Sequence, residues 1–453
     1  MSGGGNPGGG AERRAFARVV APLLARVRGG ARTTPPARLA RALAPATRMQ
    51  TVQRLHHFPP FRPADYLALN PDAARARADP ASHALFVGAG EGRTLFQPER
   101  LARLLRAPQP HDGAIAAPHD AVGASAELAV GLYVSSHGNV FMREIVTDLA
   151  ADLTAAGIAV TVGDETAPIA ARPARAIFVA PHEFFTLGAG PRWIREEVVA
   201  HAVMLNTEQA QTRWFALALP FLLASRGVID LNAQMAALLG ASGLPALHLT
   251  MAPPLAPALT RADREHALFR ALPDAAHAAP QATTPLAARP IDIAFFGATS
   301  PHRDAFFARH AAFFADYATL FHCRPIGRGP IHAEGAEGGL ARLAQHVGGH
   351  AKLVLNLHRD EYGYFEWHRI VRLGLCAGSV VVSEPCLPHP LFRAGTHYFE
   401  APAEEIPRLI EWLLRTDDGR AAAQAAQDNA RRLTETFSPA RTATAVTALL
   451  RDG

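Results

Sequence analysis

The sequence predicts an α/β protein built from two consecutive doubly wound, parallel-sheet domains. Three observations predict it. At 453 residues the chain exceeds what one core ordinarily supports, and 49% hydrophobic with 19% charged residues is the composition of a soluble globular protein. Short apolar runs alternate with helical text instead of hairpin turns, which calls for parallel pairing with helices on both faces. That rhythm breaks once, at the proline-rich stretch Ala252–Pro290, and then restarts.

In the first domain, expected over 126–255, Leu128–Val134 is a strand followed by the turn Ser135-Ser136-His137-Gly138-Asn139 and a helix over Phe141–Ala155. Further strands fall at Ile158–Val162, Ala176–Val179, Val203–Leu205, Val228–Leu231 and Ala246–Leu249. In the second, expected over 290–450, the strands are Ile291–Phe296, Thr319–Cys323, Lys352–Leu357 and Ser379–Ser383. Helices are expected there over Arg303–Tyr317, Gly338–His346 and Glu366–Cys376. Ligands of open parallel sheets sit beyond the carboxyl ends of the strands, so chemistry is sought in the loops opening at Ser135, His182, Asn206, Gly297, His322, Asn356 and Glu384.

Ahead of the domains, residues 1–50 are rich in Gly, Pro, Ala and Arg and are expected as a disordered basic tail. An amphipathic helix over Glu12–Val27 offers arginines to an anionic membrane surface. The abrupt compositional change also raises a start of translation at Met49. Residues 58–96 are expected as a small helical module, and Arg106–Ser125 as a linker.

The formal charge of +5 does not point to nucleic acid. Nine arginines against Glu12 give residues 1–50 a charge of +8, so the other 403 residues carry −3 and offer no basic groove. Lys352 is the only lysine, which fits a GC-rich genome and makes arginine counts weak evidence. Cys323, Cys376 and Cys386 are odd in number and lack metal-ligand spacing, so reduced thiols and no structural zinc are expected. The longest apolar run, Trp214–Ala224, is broken by Pro220 and is too short for a bilayer. No signal peptide is read, and the cytoplasm is the expected compartment.

The densest set of candidate residues lies in KLVLNLHRDEYGYFEWHRIVRLGLCAGSVVVSEPCLPHPLF. A strand ends in Asn356, a helix opens near Glu366 with His368 and Arg369 in its first turn, and the next strand delivers Ser383 and Glu384 to the same edge. A helix N-terminus with an arginine in its first turn suits a diphosphate. The order of strand-Asn, Glu-x-His-Arg, small-residue helix end and Val-Val-Ser-Glu resembles the nucleotide-sugar domain of GT-B glycosyltransferases, glycosyl transferase family 1, and within them the spore-coat-type, CgeB-like group. MLNTEQAQ at Met204–Gln211 and VIDLNAQMAALLGASGLPALHLTMAP at Val228–Pro253 extend the resemblance over about 128–450. Residues 58–96 resemble a module found beside bacterial surface-polysaccharide glycosyltransferases. The residues that carry this are Tyr66-Leu67, Asn70-Pro71-Asp72, Asp79-Pro80, His83 and Gly88-x-x-Glu91-Gly92-Arg93. No chemistry attaches to that module, and it is read as a packing or docking element.

The resemblance implies two Rossmann-like domains facing a cleft and a donor site in the second. Glu384 or Ser383 would meet the ribose, Arg369 the diphosphate, and Gly297 and Arg303 would flank it, with Asn356, Glu366 and His368 completing the site. An ordinary alternative for Arg369 is an ion pair with Glu366 on one helix face. The commonest retaining enzymes of this fold carry a second glutamate where this chain has Leu373 or Gly374. That half-site therefore does not argue for retention, and a base is sought across the cleft.

His137 is the first choice for that base, by its pKa class and the glycine beside it, with Glu208 and the pair His182-Glu183 as rivals. Each has a bland reading as a helix cap or loop polarity. No Asp-x-Asp triad occurs, so no obligatory metal is expected, and arginine would meet the leaving-group charge. The expected partners are a nucleotide-sugar donor and a glycan, lipid-linked or protein acceptor. A non-catalytic nucleotide- or sugar-binding protein and a nucleotide-sugar epimerase are the alternatives. No strand leads into G-x-G-x-x-G, which counts against a dinucleotide oxidoreductase.

Overall fold

The computed structural model of the chain describes residues 34–107, 128–251, 258–281, 283–325, 329–332, 338–360 and 362–452. The expected helix over Glu12–Val27 and nearly all of the expected linker lie outside these residues.

From Thr34 onward the expected tail is ordered helix. Pro35–Ala42 and Pro45–His57 lead into Pro63–Leu69, Pro71–Arg75, Pro80–His83 and, later, Pro98–Arg106. Each of these six begins with proline at its first positions. Proline has no N–H to leave unpaired there, and its φ is already helical. The prolines that suggested disorder are thus helix starts. Leu39, Leu43, Leu55, Phe58, Phe61 and Tyr66 are buried in one core with Phe185, Phe215 and Phe221 of the first sheet domain. A chain starting at Met49 would lack Leu39 and Leu43 and would break Pro45–His57 in its second turn.

The residues that carried the module's resemblance form its frame. Asn70 Nδ2 donates to the Tyr66 and Thr94 carbonyls at 3.0 and 3.1 Å, and Asp79 caps the Ser82 N–H at 2.8 Å. Arg93 joins Asp72 and Glu91 at 2.7 and 2.6 Å. A Cβ on Gly88 would lie 2.5 Å from the Tyr66 hydroxyl, so only glycine fits. The module is fixed to the first domain where Arg54 donates to the Leu223 and Ser225 carbonyls at 2.7 and 2.8 Å, at the end of helix Arg213–Ala224. Glu196 also accepts from the Ala44 N–H and the Thr47 hydroxyl.

The first domain is a six-stranded parallel sheet: β1 Ala129–Tyr133, β2 Ala159–Gly163, β3 Arg175–Val179, β4 Val203–Asn206, β5 Gly227–Asp230 and β6 Ala246–His248, in the order β2-β1-β3-β4-β5-β6. The second has five parallel strands: β7 Ile291–Ala298, β8 Thr319–Arg324, β9 Ala351–Asn356, β10 Val380–Ser383 and the short, unforeseen β11 Phe399–Glu400, in the order β11-β10-β9-β7-β8. In each sheet the chain winds one way from its first strand and then returns to wind the other way. The crevices open between β1 and β3 and between β7 and β9. This is the expected GT-B arrangement of two Rossmann-like domains facing a cleft.

The two domains share a core. Leu149 and Leu153 of helix Val140–Ala155 pack in one cluster with Ile370 and Val371 of the second domain and with Val446 and Leu450 of the last helix, Pro439–Asp452. That last helix crosses back onto the first domain, against Val140–Ala155 and β6. The proline-rich boundary holds short helices, and its Thr260/Asp263 capping box is pinned to the second domain by Arg342, 2.7 Å from Asp263. Among the described residues no helix is long and apolar enough to cross a membrane.

Two expected helices differ. Arg303–Tyr317 splits at His310 into Pro301–Arg309 and Ala311–Phe314. Glu366–Cys376 is a π turn over His368–Gly374 followed by a 3-10 turn over Leu375–Ala377, ended by Gly378 at φ +78°. A Cβ on Gly374 would lie 2.2 Å from Val381 Cγ2 of β10, so of the two positions where a second glutamate would fall Gly374 has no room for a side chain, and the other is the apolar Leu373.

Replacing Leu39 by Ala is expected to cost about 2–5 kcal/mol, read as a lowered denaturant midpoint, because it opens a cavity in the module–domain core. Met49→Ala, at a residue 61% exposed, should leave the midpoint unchanged. An unchanged midpoint in Leu39→Ala would mean that the helix before Met49 is not part of the folded body.

Candidate active site

One cleft of about 390 Å³ lies between the domains, a size suited to a small-molecule ligand. The first domain lines it with Asn139, Phe141, Thr207–Gln211 and Asp230–Asn232. The second contributes Phe296–Ala298, Tyr362–Arg369 and Leu373. The helical module adds Ala102, Leu105 and Arg106 from its last helix, a wall that no local sequence signal announces.

The cationic side is built on Asn356, which is wholly buried at the end of β9. Its Nδ2 donates to Ser383 Oγ at 2.8 Å, and its Oδ1 accepts from Arg369 Nη1 at 2.7 Å. Arg369 Nε donates to the Phe296 carbonyl at 3.1 Å, and the guanidinium lies 5.8 Å from the centre of the Phe295 ring. One side chain thus ties the ends of β7 and β9 and, through Asn356, β10. Arg369 lines the cleft, and its Nη2 has no acceptor among the described residues. A guanidinium held through Nε and Nη1, with Nη2 left to donate, is preorganised for an anion. The alternative pairing of Arg369 with Glu366 does not form. Glu366 lines the cleft, and its charge acts on the Tyr364 hydroxyl, helping burial to raise that group's pKa.

Other expected donor-site residues hold the frame. Arg303 gives Nε and Nη2 to the Leu357 carbonyl at 3.1 and 2.8 Å and Nη1 to the Ala298 carbonyl at 2.8 Å. Burial, followed by the charge of Arg369, pulls its pKa down to about 9. It clamps the loops after β7 and β9 and does not line the cleft. Gly297 does line it, and a Cβ there would lie 2.7 Å from the Phe295 ring. Ser383 is fully buried between Asn356 and the Glu384 carbonyl, to which it donates at 2.6 Å. Glu384 also sits outside the lining, with Oε1 2.7 Å from His302 Nε2 and Oε2 accepting from the His358 N–H at 2.7 Å.

His368 reaches across to the first domain. Its Nε2 is 3.0 Å from Glu144 Oε2, and its ring meets Phe141 edge-on at 4.5 Å. Arg372 continues the contact to Glu144 at 3.4 Å and to Asp148. Burial pushes the Asp148 carboxyl up to about 6 against the opposing pull of Arg372.

The facing wall is acidic. Glu183, Glu208 and Asp230 lie beyond β3, β4 and at the end of β5, and burial pushes each carboxyl up to about 7. For Glu208 the charge of Glu183 adds to the rise, and Arg359 from the loop after β9 opposes it. Asn206 holds the pair in register, its Nδ2 donating to Asp230 Oδ2 at 2.8 Å and to the Glu208 carbonyl at 2.9 Å. Glu208 and Asp230 line the cleft. Glu183 lies beneath it, accepting from the Asn139 N–H at 3.1 Å.

His137, the first choice for a base, is turned away. Its side chain is 62% exposed, it lies 3.6 Å from Glu165, and it does not line the cleft. The glycine beside it serves packing, since a Cβ on Gly138 would lie 2.3 Å from Glu183 Oε2. Asp230 was missed, although a strand ending in an acid at the carboxyl edge is a readable signal. Among the described residues no group of three or more His, Cys, Asp or Glu is placed to hold a metal ion. The three cysteines are free thiols.

No family model matches the chain, and no curated protein matches its sequence. Solved structures do overlap it. The HepE protein of Anabaena, in complex with UDP and glucose, does so at 11% identity and a TM-score of 0.45, over 71% of this chain and 99% of that one. Sucrose-phosphate synthase of Thermosynechococcus elongatus does so at 14% and 0.42, over 72% and 98%. An alpha1,3-fucosyltransferase with GDP-fucose overlaps at 10% and 0.37, over 78% and 97%.

Because the Glu183 pKa lies near 7 in the folded chain against an ordinary 4.5, the folded state holds more protons across that window, and this group's contribution to stability falls as pH rises through it. Glu183→Gln keeps an acceptor for Asn139 without a buried charge. It should melt higher than wild type at about pH 8, by on the order of 1–3 kcal/mol, with the gain vanishing near pH 4. Thermal melts across pH test this, and a gain independent of pH would contradict the buried-charge account.

Proposed function

We propose that the chain transfers a glycosyl group from a nucleoside-diphosphate sugar to a hydroxyl acceptor bound in the interdomain cleft. The observation that carries this reading is the opposition of Arg369, whose Nη2 has no acceptor among the described residues, to Glu208, a carboxyl pushed up to about 7 on the facing wall. In this reading Glu208 takes the acceptor proton as the acceptor oxygen forms its bond to the anomeric carbon. The bond from that carbon to the diphosphate oxygen breaks, and the nucleoside diphosphate departs with the electron pair while Arg369 meets its growing charge. Gly297 lets the backbone at the end of β7 come close to the donor.

A base on the acceptor side, together with Leu373 and Gly374 at the positions where a second carboxylate would fall, favours a single displacement with inversion. Arginine in place of an Asp-x-Asp metal triad favours metal-independent transfer. His137 is replaced as base by Glu208, and Arg303, Asn356, Ser383 and Glu384 are taken as the frame that aims Arg369. The acceptor is a glycan, lipid-linked or protein hydroxyl, and surface-glycan synthesis in the cytoplasm, at the inner face of a membrane, is the setting that fits the module's resemblance.

Calorimetric titration with uridine, guanosine, thymidine and cytidine diphosphate sugars should give at least one binder. Arg369→Ala, verified as folded, should weaken it about tenfold or more, as expected for losing a hydrogen bond to a charged group. Glu208→Gln should leave binding intact and slow release of the nucleoside diphosphate by about 10²–10⁴. Equal affinity in Arg369→Ala would remove that residue from the diphosphate site. Undiminished turnover in Glu208→Gln would remove the base. Binding without turnover in wild type would favour a non-catalytic binding protein.

A further inference from the structure

We infer that His182 is the positioning residue of Glu208: a buried, neutral imidazole that donates its single N–H to the carboxylate and holds it aimed into the cleft. The inference rests on the reading of Glu208 as the base.

The backbone bends to bring the two together. Ala180, fully buried after β3, has φ +52° and ψ +67°, a left-handed conformation that costs a residue with a Cβ. Its N–H donates to the Leu205 carbonyl of β4 at 3.0 Å, and its carbonyl accepts from Glu183 and Phe184 at 2.8 and 3.0 Å. The short helix Pro181–Phe184 is thereby folded over the sheet edge toward the loop that carries Glu208.

His182 is 3% exposed, and its Nε2 lies 3.5 Å from Glu208 Oε1. Its ring centre is 5.9 Å from that of Trp214. Nδ1 has no partner among the described residues. A neutral imidazole carries one proton, and with nothing to receive it at Nδ1 the favoured tautomer places it on Nε2, facing Glu208. Burial pulls the His182 pKa down to about 3, so the ring stays a donor and does not become a second cation in the site. At 3.5 Å the contact is longer than an ordinary hydrogen bond, and on this inference it shortens to one when substrate occupies the cleft.

The other groups that face Glu208 are known. Glu183 lies on the same turn as His182, Thr212 Oγ1 donates to Glu208 Oε2 at 3.3 Å, and Arg359 and Glu366 act from the second domain. Tyr364 also lies within electrostatic reach. Of these, His182 and Thr212 are the donors from the first domain, and only His182 is buried and without another partner.

The test is a carboxyl titration of Glu208, followed by NMR in chain labelled with [13Cδ]glutamate and assigned by the resonance lost in Glu208→Gln. It needs no ligand. His182→Phe keeps a ring against Trp214 but removes the donor, so the carboxylate loses a stabilising hydrogen bond and its midpoint should rise by about one unit. His182→Gln keeps an N–H within reach and should bring the midpoint back toward that of wild type. A midpoint unmoved in His182→Phe, or equal midpoints in the Phe and Gln variants, overturns the positioning role and leaves Glu208 as base untouched. Undiminished turnover in Glu208→Gln overturns the base and this inference with it.

Discussion

The site depends on one buried amide. Asn356 sits fully buried at the carboxyl end of a central parallel strand, and both ends of its side chain must find partners there. It donates to Ser383 on the neighbouring strand and accepts from Arg369 on the turn between them. Held by Asn356 at Nη1 and by the Phe296 carbonyl at Nε, the guanidinium is fixed in place at the end of the sheet. Arg303 secures the same edge from behind through the Leu357 and Ala298 carbonyls. Two arginines lie close together here, and they divide the work. One is consumed by the backbone, and the other keeps Nη2 for the cleft.

Across the cleft, desolvation does the equivalent task. Three carboxyl groups at or just beyond the ends of successive strands are desolvated, Asp230 fully and Glu183 and Glu208 in part, which pushes each up to about 7, and the amide of Asn206 ties the Asp230 carboxyl to the Glu208 backbone. A carboxyl poised there can accept a proton from a hydroxyl as a bond forms, which an ordinary surface carboxylate does poorly. The two walls are held face to face by the contact of His368 and Arg372 with Glu144 and Asp148, and by the final helix returning to the first domain.

Most of the fold was legible because parallel strands buried on both faces leave unmistakable apolar runs, and ten of eleven strands fall where those runs are; β11, two residues long, leaves no such run. The segment around Asn356 and Arg369 was legible because it is local: strand, turn and strand follow one another in sequence. What failed depends on packing between distant segments. The prolines before residue 50 look like disorder until Phe215 and Phe221 are brought up against the helices they start. His137 and Glu208 both follow strands, and nothing near them in sequence tells that one ring turns toward Glu165 while the other side chain meets the cleft. Glu384 and Ser383 reach the expected edge, but their oxygens are engaged by His302, His358 and Asn356.

The most direct measurement is diffraction from crystals of the chain soaked in turn with uridine, guanosine, thymidine and cytidine diphosphate. One of them should be found with its diphosphate oxygens about 3 Å from the Arg369 guanidinium, between Phe296–Ala298 and Tyr362–Arg369, and with its terminal phosphate directed toward Glu208. A nucleotide seated elsewhere, or a cleft left empty by all four, would contradict the account.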